Sequence, residues 1–239
     1  MAWHGERGEL RMIARRIPRS MVPGGIDANT ILMLHGENFA DASLNPKIVT
    51  NNGLSISNDG KFGSCIYMSG AGTLNSTKWL QVTLGNYLPS TFTIDFWMKL
   101  VGNMQYAAIG TLINTSDWNS KGSAGHWMLN MGEGDPSKVQ MRIYHSPTNI
   151  DRNSINISTP TDSAWHHYAW VNNVNVHIFY YDGNAKLSFS TSEQIIGTFG
   201  IGRGDTRGYG ITGGIDELRV SNIARWTDNF TPPIAPYSR

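Results

Sequence analysis

The stretch from Trp165 to Gly183 restricts the fold more than any other part of the chain. Its residues are mostly β-branched or aromatic, an Asn-Asn pair interrupts them, and an Asp-Gly pair ends them. β-branched and aromatic side chains favour extended strands, and Asn, Asp and Gly tolerate the positive φ of tight turns. The pattern predicts two strands joined at Asn172-Asn173, with a second turn at Asp182-Gly183.

The segment Thr91–Leu100 has the clearest alternation of apolar and polar residues. Because side chains alternate between the two faces of a strand, one set must face a core and the other must face outward. The predicted core set is Phe92, Ile94, Phe96, Met98 and Leu100, and the predicted outward set is Thr91, Thr93, Asp95, Trp97 and Lys99. Further strands are predicted over Ile31–Leu34, Trp79–Leu84, Ala107–Ile113, His126–Met131 and Val139–Tyr144.

The composition favours an all-β fold. Only 15% of the 239 residues are charged and 26 are glycine, which is typical of turn-rich β proteins. No helical pattern separates the predicted strands, so we expect residues 27–239 to form one antiparallel β-sandwich domain.

Residues 1–26 form a predicted basic arm ahead of this domain. Five arginines against two glutamates give the arm a local charge of +3, whereas the whole chain has a net charge of +1. A chain so close to neutrality is not expected to bind nucleic acid. Two interpretations of the arm stay open: a disordered or vector-derived tail, and a docking arm that orders on a partner. The docking residues would be Arg7, Arg11, Arg15, Arg16 and Arg19.

The sequence also argues against several classes of protein. Cys65 is the single cysteine, which excludes an intrachain disulfide and a zinc site built from two thiolates of this chain. The chain has no run of 18 apolar residues, so we expect no membrane span. Arginines interrupt the apolar residues near the N-terminus, so we expect no secretory signal. We therefore expect the protein to stay where it is made, unless a larger assembly carries it out.

Four segments, in this order, resemble the laminin-G-like branch of the concanavalin A-like lectin/glucanase superfamily. They are Ile31–Gly36 with Asp41 and Ser43, Phe92–Lys99, Trp165–Gly183 and Gly213–Trp226. The resemblance spans residues 29–232 and implies a jelly-roll sandwich of two curved antiparallel sheets, with the first and last strands adjacent.

Within that superfamily, the segments Asn45–Gly53 and Lys61–Ser64 are similar to domains of tailed-phage virion proteins. This similarity implies a virion component that is made in a bacterial cytoplasm. The absence of a signal peptide and of disulfides agrees with such a location.

The acids of this chain do not match the glycosidases of the superfamily. Those enzymes place two glutamates and an aspartate along one strand as Glu-x-Asp-x-x-Glu, so that a general acid and a nucleophile meet in one cleft. The chain has no such triplet, and alternation sends the adjacent Asp216 and Glu217 to opposite faces of a strand. We therefore expect no enzymatic activity.

Alternation instead places Asp216 on the apolar face of Leu218 and Val220, where a carboxylate needs a cation or strong hydrogen bonds. In several members of the superfamily the matching aspartate helps to hold a structural calcium near the first strand, which implies a calcium site at Asp216. Glu37 is a weaker candidate ligand, because His35-Gly36-Glu37 stands where relatives often have an aspartate. Hydrogen bonds from backbone amides or an arginine are the alternative partners of Asp216.

His166 and His167 resemble a metal pair, but adjacent strand residues diverge and cannot chelate one ion. We expect one of them to be hydrogen-bonded within the sandwich and the other to be exposed. Cys65 is expected to be a packed small side chain.

Binding of a glycan needs an exposed aromatic ring for C–H contacts, surrounded by amides and carboxylates that bond its hydroxyls. The segment 114–121 supplies this set through Asp117, Trp118 and Asn119. Tyr209 with Arg207 supplies a second set. The alternative is that Trp118 merely covers an edge of the sandwich. Among the outward residues, Trp97 could serve equally as a sugar platform or as a subunit contact.

These observations predict a non-catalytic carbohydrate-binding or adhesion module, a phage virion protein that contacts host surface polysaccharide. The alternative is a structural decoration or tail accessory protein that docks to other virion proteins through its arm and binds no sugar. Self-association stays open, and calcium is the one cofactor predicted.

Overall fold

The computed structural model describes residues 25–69, 78–101, 107–111, 124–131, 139–144, 150–155, 162–202 and 211–238. Within these ranges the chain forms strands and connections, and no helix is long and apolar enough to cross a membrane. The strands are β1 (Thr30–Leu34), β2 (Val49–Asn52), β3 (Ser55–Ser57), β4 (Cys65–Ser69), β5 (Trp79–Tyr87), β6 (Thr91–Leu100), β7 (Ala107–Gly110), β8 (Trp127–Met131), β9 (Val139–Tyr144), β10 (Ile150–Ile155), β11 (Trp165–Asn173), β12 (Val176–Tyr181), β13 (Asn184–Ser190), β14 (Ile196–Ile201) and β15 (Thr212–Ser221).

The strands pair into two antiparallel sheets, which confirms the predicted sandwich. The larger sheet has the order β13-β12-β11-β6-β15-β4-β3, and β1 also pairs with β15. The smaller sheet has the order β10-β9-β8-β7-β14-β5-β2. The pairing of β1 with β15 confirms that the first and last strands are adjacent.

The main core lies between the two sheets. Strand β6 has the bounds that its alternation predicts, and the five residues predicted to face the core all do so. The larger sheet contributes Leu32, Ile66, Tyr168 and Leu218, and the smaller sheet contributes Leu80, Trp127, Met141 and Phe199.

The outer face of the larger sheet is covered as well, which the alternation does not reveal. Trp226 packs with Ala169, Val171 and Tyr180, and Tyr237 packs with Ile26 and Met33. The Tyr237 hydroxyl reaches Asp95, and the ring of Phe62 packs edge-on against Trp97, so both of these predicted outward side chains are buried. Trp97 does lie on the outer face, but the expectation that it is available to a sugar or a second subunit was wrong.

Ordered packing reaches back into the predicted arm. The N–H of Ile26 donates to the carbonyl of Ser238 at 2.9 Å, and the Ile26 side chain is buried. Gly25 and Ile26 thus lie against the sandwich, although the predicted boundary assigns them to the arm. The five arginines of the arm lie outside the described residues.

Candidate functional site

Three chain segments meet at one end of the sandwich and form a surface that we name the rim, comprising residues 86–90, 172–176 and 191–195. The amide Nδ2 of Asn172 donates to the carbonyl of Ser90 at 3.0 Å. The N–H of Thr191 donates to the carbonyl of Asn175 at 3.0 Å, and the N–H of Leu88 donates to the carbonyl of Ile195 at 2.7 Å. These bonds join the connections at the strand ends of both sheets, so the three segments form one continuous rim.

The exposed side chains of the rim combine one aromatic ring with several amides. Tyr87, the last residue of β5, is 50% exposed. The exposed amides of the rim are Asn86, Asn173, Asn175 and Gln194. Each side-chain amide offers both a donor and an acceptor, and the ring offers an apolar face. Such a surface can bind a ligand that carries hydroxyl groups on an apolar frame.

The turn at the tip of the β11–β12 hairpin differs from its prediction. Strand β11 continues through Asn172 and Asn173, and the turn is formed by Val174 and Asn175, with φ of 47° and 70°. Two successive positive φ values are typical of type I′ hairpin turns, which prefer Asn or Gly. Val174 is β-branched, so it holds this conformation under strain, and its side chain is 66% exposed. The predicted turn at Asp182-Gly183 is confirmed, with φ of 46° and 74°.

A buried histidine supports the rim from below. The Nδ1 of His177 accepts a hydrogen bond from the indole Nε1 of Trp170 at 3.0 Å, and its ring stacks on Phe189. Burial lowers the pKa of His177 to about 4, so the ring is neutral near pH 7 and carries its proton on Nε2. His177 faces Asn172 across the two strands, and the Asn172 Oδ1 and His177 Nε2 are buried without a hydrogen-bond partner among the described residues.

The residues predicted to bind glycan, namely Asp117, Trp118, Asn119, Arg207 and Tyr209, all lie outside the described residues. The strands that flank them are described. Strand β7 runs antiparallel to β14, and the carbonyl of Gly125 accepts from the N–H of Ile196 beside the rim. The connection that contains Trp118 therefore leaves a strand that runs toward the rim and ends beside the rim at Gly125, whereas the connection that contains Tyr209 starts at the opposite end of β14.

The sequence interpretation missed Tyr87. The available signal was local: Gly85-Asn86-Tyr87 ends an alternating strand just before Leu88-Pro89-Ser90, a combination that marks a turn. An aromatic residue at a strand end, next to an amide, is a reasonable candidate for a binding surface. What the sequence could not show was that the Asn173 and Asn175 amides lie at the same end.

The adjacent acids Asp216 and Glu217, at the predicted calcium site, adopt a geometry that the alternation does not predict. Glu217 has a φ of 51°, and the register between β15 and β6 shifts between Asp216 and Arg219. This is a β-bulge, in which one extra residue reverses the alternation that follows. Asp216 therefore shares the outer face with Trp97, and the prediction that it lies beside Leu218 and Val220 was wrong.

Both carboxylates also reach the same face, contrary to the prediction of opposite faces. The Oδ2 of Asp216 accepts from the N–H of Phe62 at 2.9 Å. Glu217 accepts through Oε2 from the N–H of Tyr237 at 2.6 Å, and its Oε1 lies 2.7 Å from the Nδ1 of His35. This contact with Glu217 raises the pKa of His35. Glu217 thus uses both oxygens to hold the C-terminal segment and His35.

Asp216 retains one oxygen that a cation could coordinate. The side chain is fully buried, and its Oδ1 has no hydrogen-bond partner among the described residues. Burial, together with the nearby charges of Glu217 and Glu37, raises the pKa of Asp216 to about 6. Glu37 is exposed, and the described residues contain no group of three or more His, Cys, Asp or Glu arranged around a metal position. The calcium site stays a prediction, with Asp216 as its buried ligand.

The two adjacent histidines diverge, as predicted. The Nδ1 of His166 lies 2.7 Å from the Oδ2 of Asp182, and its ring stacks on Tyr181. His167 is fully buried on the outer face, where its Nε2 lies 3.6 Å from the Oδ2 of Asp95. One histidine is thus hydrogen-bonded, but the other is enclosed rather than exposed. Cys65 is buried, as expected of a packed side chain.

A family model described as the concanavalin A-like lectin/glucanases superfamily matches residues 72–228, which is more than half of the chain. No curated protein sequence matches the chain.

Solved structures with the same fold include binding domains of bacterial toxins. The binding domain of Paraclostridial Mosquitocidal Protein 1 is 16% identical with a TM-score of 0.60, over 82% of this chain and 49% of that one. The ligand-binding domain of botulinum neurotoxin serotype D, in complex with N-acetylneuraminic acid, is 15% identical with a TM-score of 0.60, over 82% and 48%. This chain therefore spans about half the length of these binding domains.

A third structure corresponds to this chain over nearly its whole length. It is domain 4 of AbnA, a GH43 extracellular arabinanase from Geobacillus stearothermophilus, in complex with arabinotriose. Its identity to this chain is 14% and the TM-score is 0.61, over 82% of this chain and 93% of that one. At such low identities, the likeness concerns the fold alone.

Proposed function

The chain belongs to the concanavalin A-like lectin/glucanase superfamily, and from this premise we propose that it is a non-catalytic module that binds carbohydrate at the rim. The observation that carries the proposal is that the exposed ring of Tyr87 and the exposed amides of Asn86, Asn173, Asn175 and Gln194 belong to three hydrogen-bonded segments at one end of the sandwich. A sugar ring has an apolar face of C–H groups and an edge of hydroxyls, and this surface offers a partner for each.

The rigidity of the rim supports the proposal. Binding is more favourable when the surface does not have to be ordered first. The hairpin tip is fixed by the bond from Thr191 to Asn175, and the amide of Asn172 is fixed by its bond to Ser90. The predicted ligands Asp117, Trp118 and Asn119 belong to the connection that ends beside this surface at Gly125, so we expect them to extend the same site. Arg207 and Tyr209 would form a separate site at the opposite end of β14.

The proposal of a binding function without catalysis rests on how the acids are used. A retaining glycosidase needs two carboxylates about 5–5.5 Å apart that both face the substrate. Glu217 bonds to Tyr237 and lies against His35, and Asp216 is fully buried beneath Phe62. Neither acid is free to meet a sugar at the surface.

A glycan array probed with the full chain tests the function. We expect saturable binding to a bacterial surface polysaccharide, reduced about tenfold or more by Tyr87→Ala, which corresponds to ~1.4 kcal/mol. Tyr87→Phe retains the ring and should retain most of the affinity. Ile234→Ala is the matched control, because it truncates a side chain that is 90% exposed but lies outside the rim.

Two results would contradict the proposal. Absence of binding to every host polysaccharide would exclude the carbohydrate function. Binding that is unchanged by Tyr87→Ala but abolished by Tyr209→Ala would move the site to the opposite end of β14. Trp118→Ala then tells whether the connection at the rim contributes to the site.

We further propose that this module belongs to a phage virion and contacts the host surface, with the basic arm as its link to other virion proteins. The specific observation is the positive charge of residues 1–26, which contain five arginines and only two glutamates. The alternative is a structural decoration protein that docks through Arg7, Arg11, Arg15, Arg16 and Arg19 and binds no sugar. Deletion of residues 1–26 decides whether the arm docks: unchanged incorporation into particles would exclude that role.

A further inference from the structure

A cavity of about 430 Å³ lies beneath the C-terminal segment, on the outer side of the larger sheet. Its lining comprises Gly25, Trp226 and the segment 231–238, which includes Pro232, Pro233 and Ile234. Proline has no N–H, so this segment offers few hydrogen-bond donors, and Ile234 is 90% exposed. The cavity is therefore suited to apolar side chains.

The N-terminal part of the chain enters the described structure at this cavity. Gly25 is one of the residues that line it. The carbonyl of Gly25 accepts from Nη1 of Arg219 at 3.3 Å, and the N–H of the next residue, Ile26, donates to Ser238 at 2.9 Å. Gly25 has a φ of +116°, and a Cβ there would lie 2.8 Å from the carbonyl oxygen of Ser238. The backbone is thus fixed at the cavity wall by contacts that only glycine permits.

The residues that precede this fixed point are apolar. They read Met21-Val22-Pro23-Gly24, directly after the basic part of the arm. Each residue spans at most about 3.3–3.6 Å of extended chain, so Val22 lies within about 10 Å of Gly25. A segment tethered this closely has a high effective concentration at the cavity, and ordering it costs little entropy.

We propose that Met21–Pro23 occupy this cavity and pack against Trp226 and Ile234. The arm then begins as part of the sandwich, and its arginines start from the outer side of the larger sheet. That side faces away from the smaller sheet. The inference does not depend on carbohydrate binding.

Disulfide trapping in the full chain tests this placement. The substitutions Val22→Cys and Ile234→Cys introduce two thiols, which can form a disulfide when the two Cα atoms come within about 7 Å. The native Cys65 is buried, and burial raises the pKa of its thiol to about 11, so it remains a poor competitor. We expect an intramolecular disulfide in a glutathione redox buffer, detected by mass spectrometry without reduction.

The matched control pairs Val22→Cys with Thr83→Cys, an exposed position on the smaller sheet. We expect at least about tenfold less intramolecular disulfide in that pair. Equal yields in the two pairs would overturn the proposal. A disulfide between two copies of the chain would overturn it as well, and would assign the cavity to a second molecule.

Trypsin cleavage after Arg19 gives a second measurement that needs no cysteine. Cleavage tracks the population of the open form when opening is fast. Ile234→Asp places a charge in the cavity wall and should release the segment, so cleavage should be several-fold faster than in the wild type. Thr83→Asp should leave the rate unchanged. Equal rates in the wild type and Ile234→Asp would show that the segment does not occupy the cavity.

Discussion

Asp95 and Arg219 form an ion pair on neighbouring strands of the larger sheet, and neither side chain is exposed to solvent. The Nε of Arg219 lies 3.1 Å from Oδ1 of Asp95, and Nη2 lies 3.3 Å from Oδ2. The hydroxyl of Tyr237 donates to the same carboxylate, and the Arg219 guanidinium lies 3.8 Å from the centre of the Tyr237 ring. The pair therefore fastens the C-terminal segment to the sheet.

Breaking this pair should be costly. Removal of one partner leaves a buried charge without compensation, which typically costs about 3–5 kcal/mol. We expect Arg219→Met to lower the free energy of unfolding in urea by about this amount. The double variant Asp95→Leu with Arg219→Met should be less destabilised than the single variant, because it leaves no charge behind.

The ion pair between Asp59 and Lys99 provides the control. The two charged groups are in contact, but the Asp59 side chain is 72% exposed. Exposed pairs contribute about 0–1 kcal/mol, so Asp59→Asn should change stability far less than Arg219→Met. A comparable loss in the two variants would contradict the importance of burial.

The second prediction concerns the pH dependence produced by Asp216. Burial raises its pKa from 3.8 to about 6, so the folded state holds a proton that the unfolded state releases. The stability from this group is present below pH 4 and is lost as pH rises through 6. As the pH rises from 4.5 to 7.5, the free energy of unfolding of Asp216→Asn should therefore increase relative to that of the wild type by roughly 1–2 kcal/mol, after allowance for solvent screening.

The same pair of proteins tests for calcium. If Asp216 binds the ion, calcium at pH 7.5 should raise the melting temperature of the wild type, and Asp216→Asn should not respond. A chelator should reverse the effect. An unchanged wild-type melting temperature in calcium and in chelator would exclude a stabilising site at Asp216, whatever the pH profile.

The third prediction concerns the strained turn. Val174 holds a φ of 47°, which costs a β-branched residue of the order of 1–3 kcal/mol. Asn tolerates this conformation, so Val174→Asn should raise the free energy of unfolding by about 1 kcal/mol and the melting temperature by about 2–4 °C. The control is Val176→Asn in the extended strand β12, where β-branched residues are favoured, and it should be neutral or destabilising.

The fourth prediction concerns Gly183, the second residue of the Asp182-Gly183 turn. Its φ is +74°, and a Cβ there would lie 1.9 Å from the carbonyl oxygen of Phe230. Gly183→Ala should displace the C-terminal segment and cost more than 2 kcal/mol, beyond the ~1–2 kcal/mol of a left-handed φ. Gly53→Ala, with a φ of +89° and only the flexible side chain of Lys78 nearby, should show the φ cost alone. Equal losses in urea unfolding would rule out the clash.

The sequence predicted a large part of the fold because the signals were local. The alternation in Thr91–Leu100 gave the bounds of β6 and its core face, and Val139–Tyr144 matches β9. The order of four segments identified the superfamily, which the family model confirms over residues 72–228. Short strands such as Ser55–Ser57 were missed, since three residues are too few to show a period.

The candidate site was less predictable, because it depends on contacts between distant segments. Tyr87 and Asn175 are far apart in sequence, and the bonds across the rim bring their segments together. The predicted ligands Trp118 and Tyr209 lie outside the described residues, so they stay predictions. The bulge at Glu217 reversed the alternation from which the environment of Asp216 had been inferred.

What the sequence determined by itself is the sandwich, because hydrophobic periodicity and turn residues act over a few neighbouring positions. What only the tertiary structure decided is whether the side chains on the outer face of each strand are buried or exposed. Asp95, Trp97 and His167 alternate as surface residues should, yet all three are buried: the C-terminal segment covers Asp95 and His167, and Phe62 packs against Trp97. The stretch Trp165–Gly183 shows both levels: its composition predicted two strands, and the pairing of Asn173 with Val176 between β11 and β12 set the turn at Val174-Asn175.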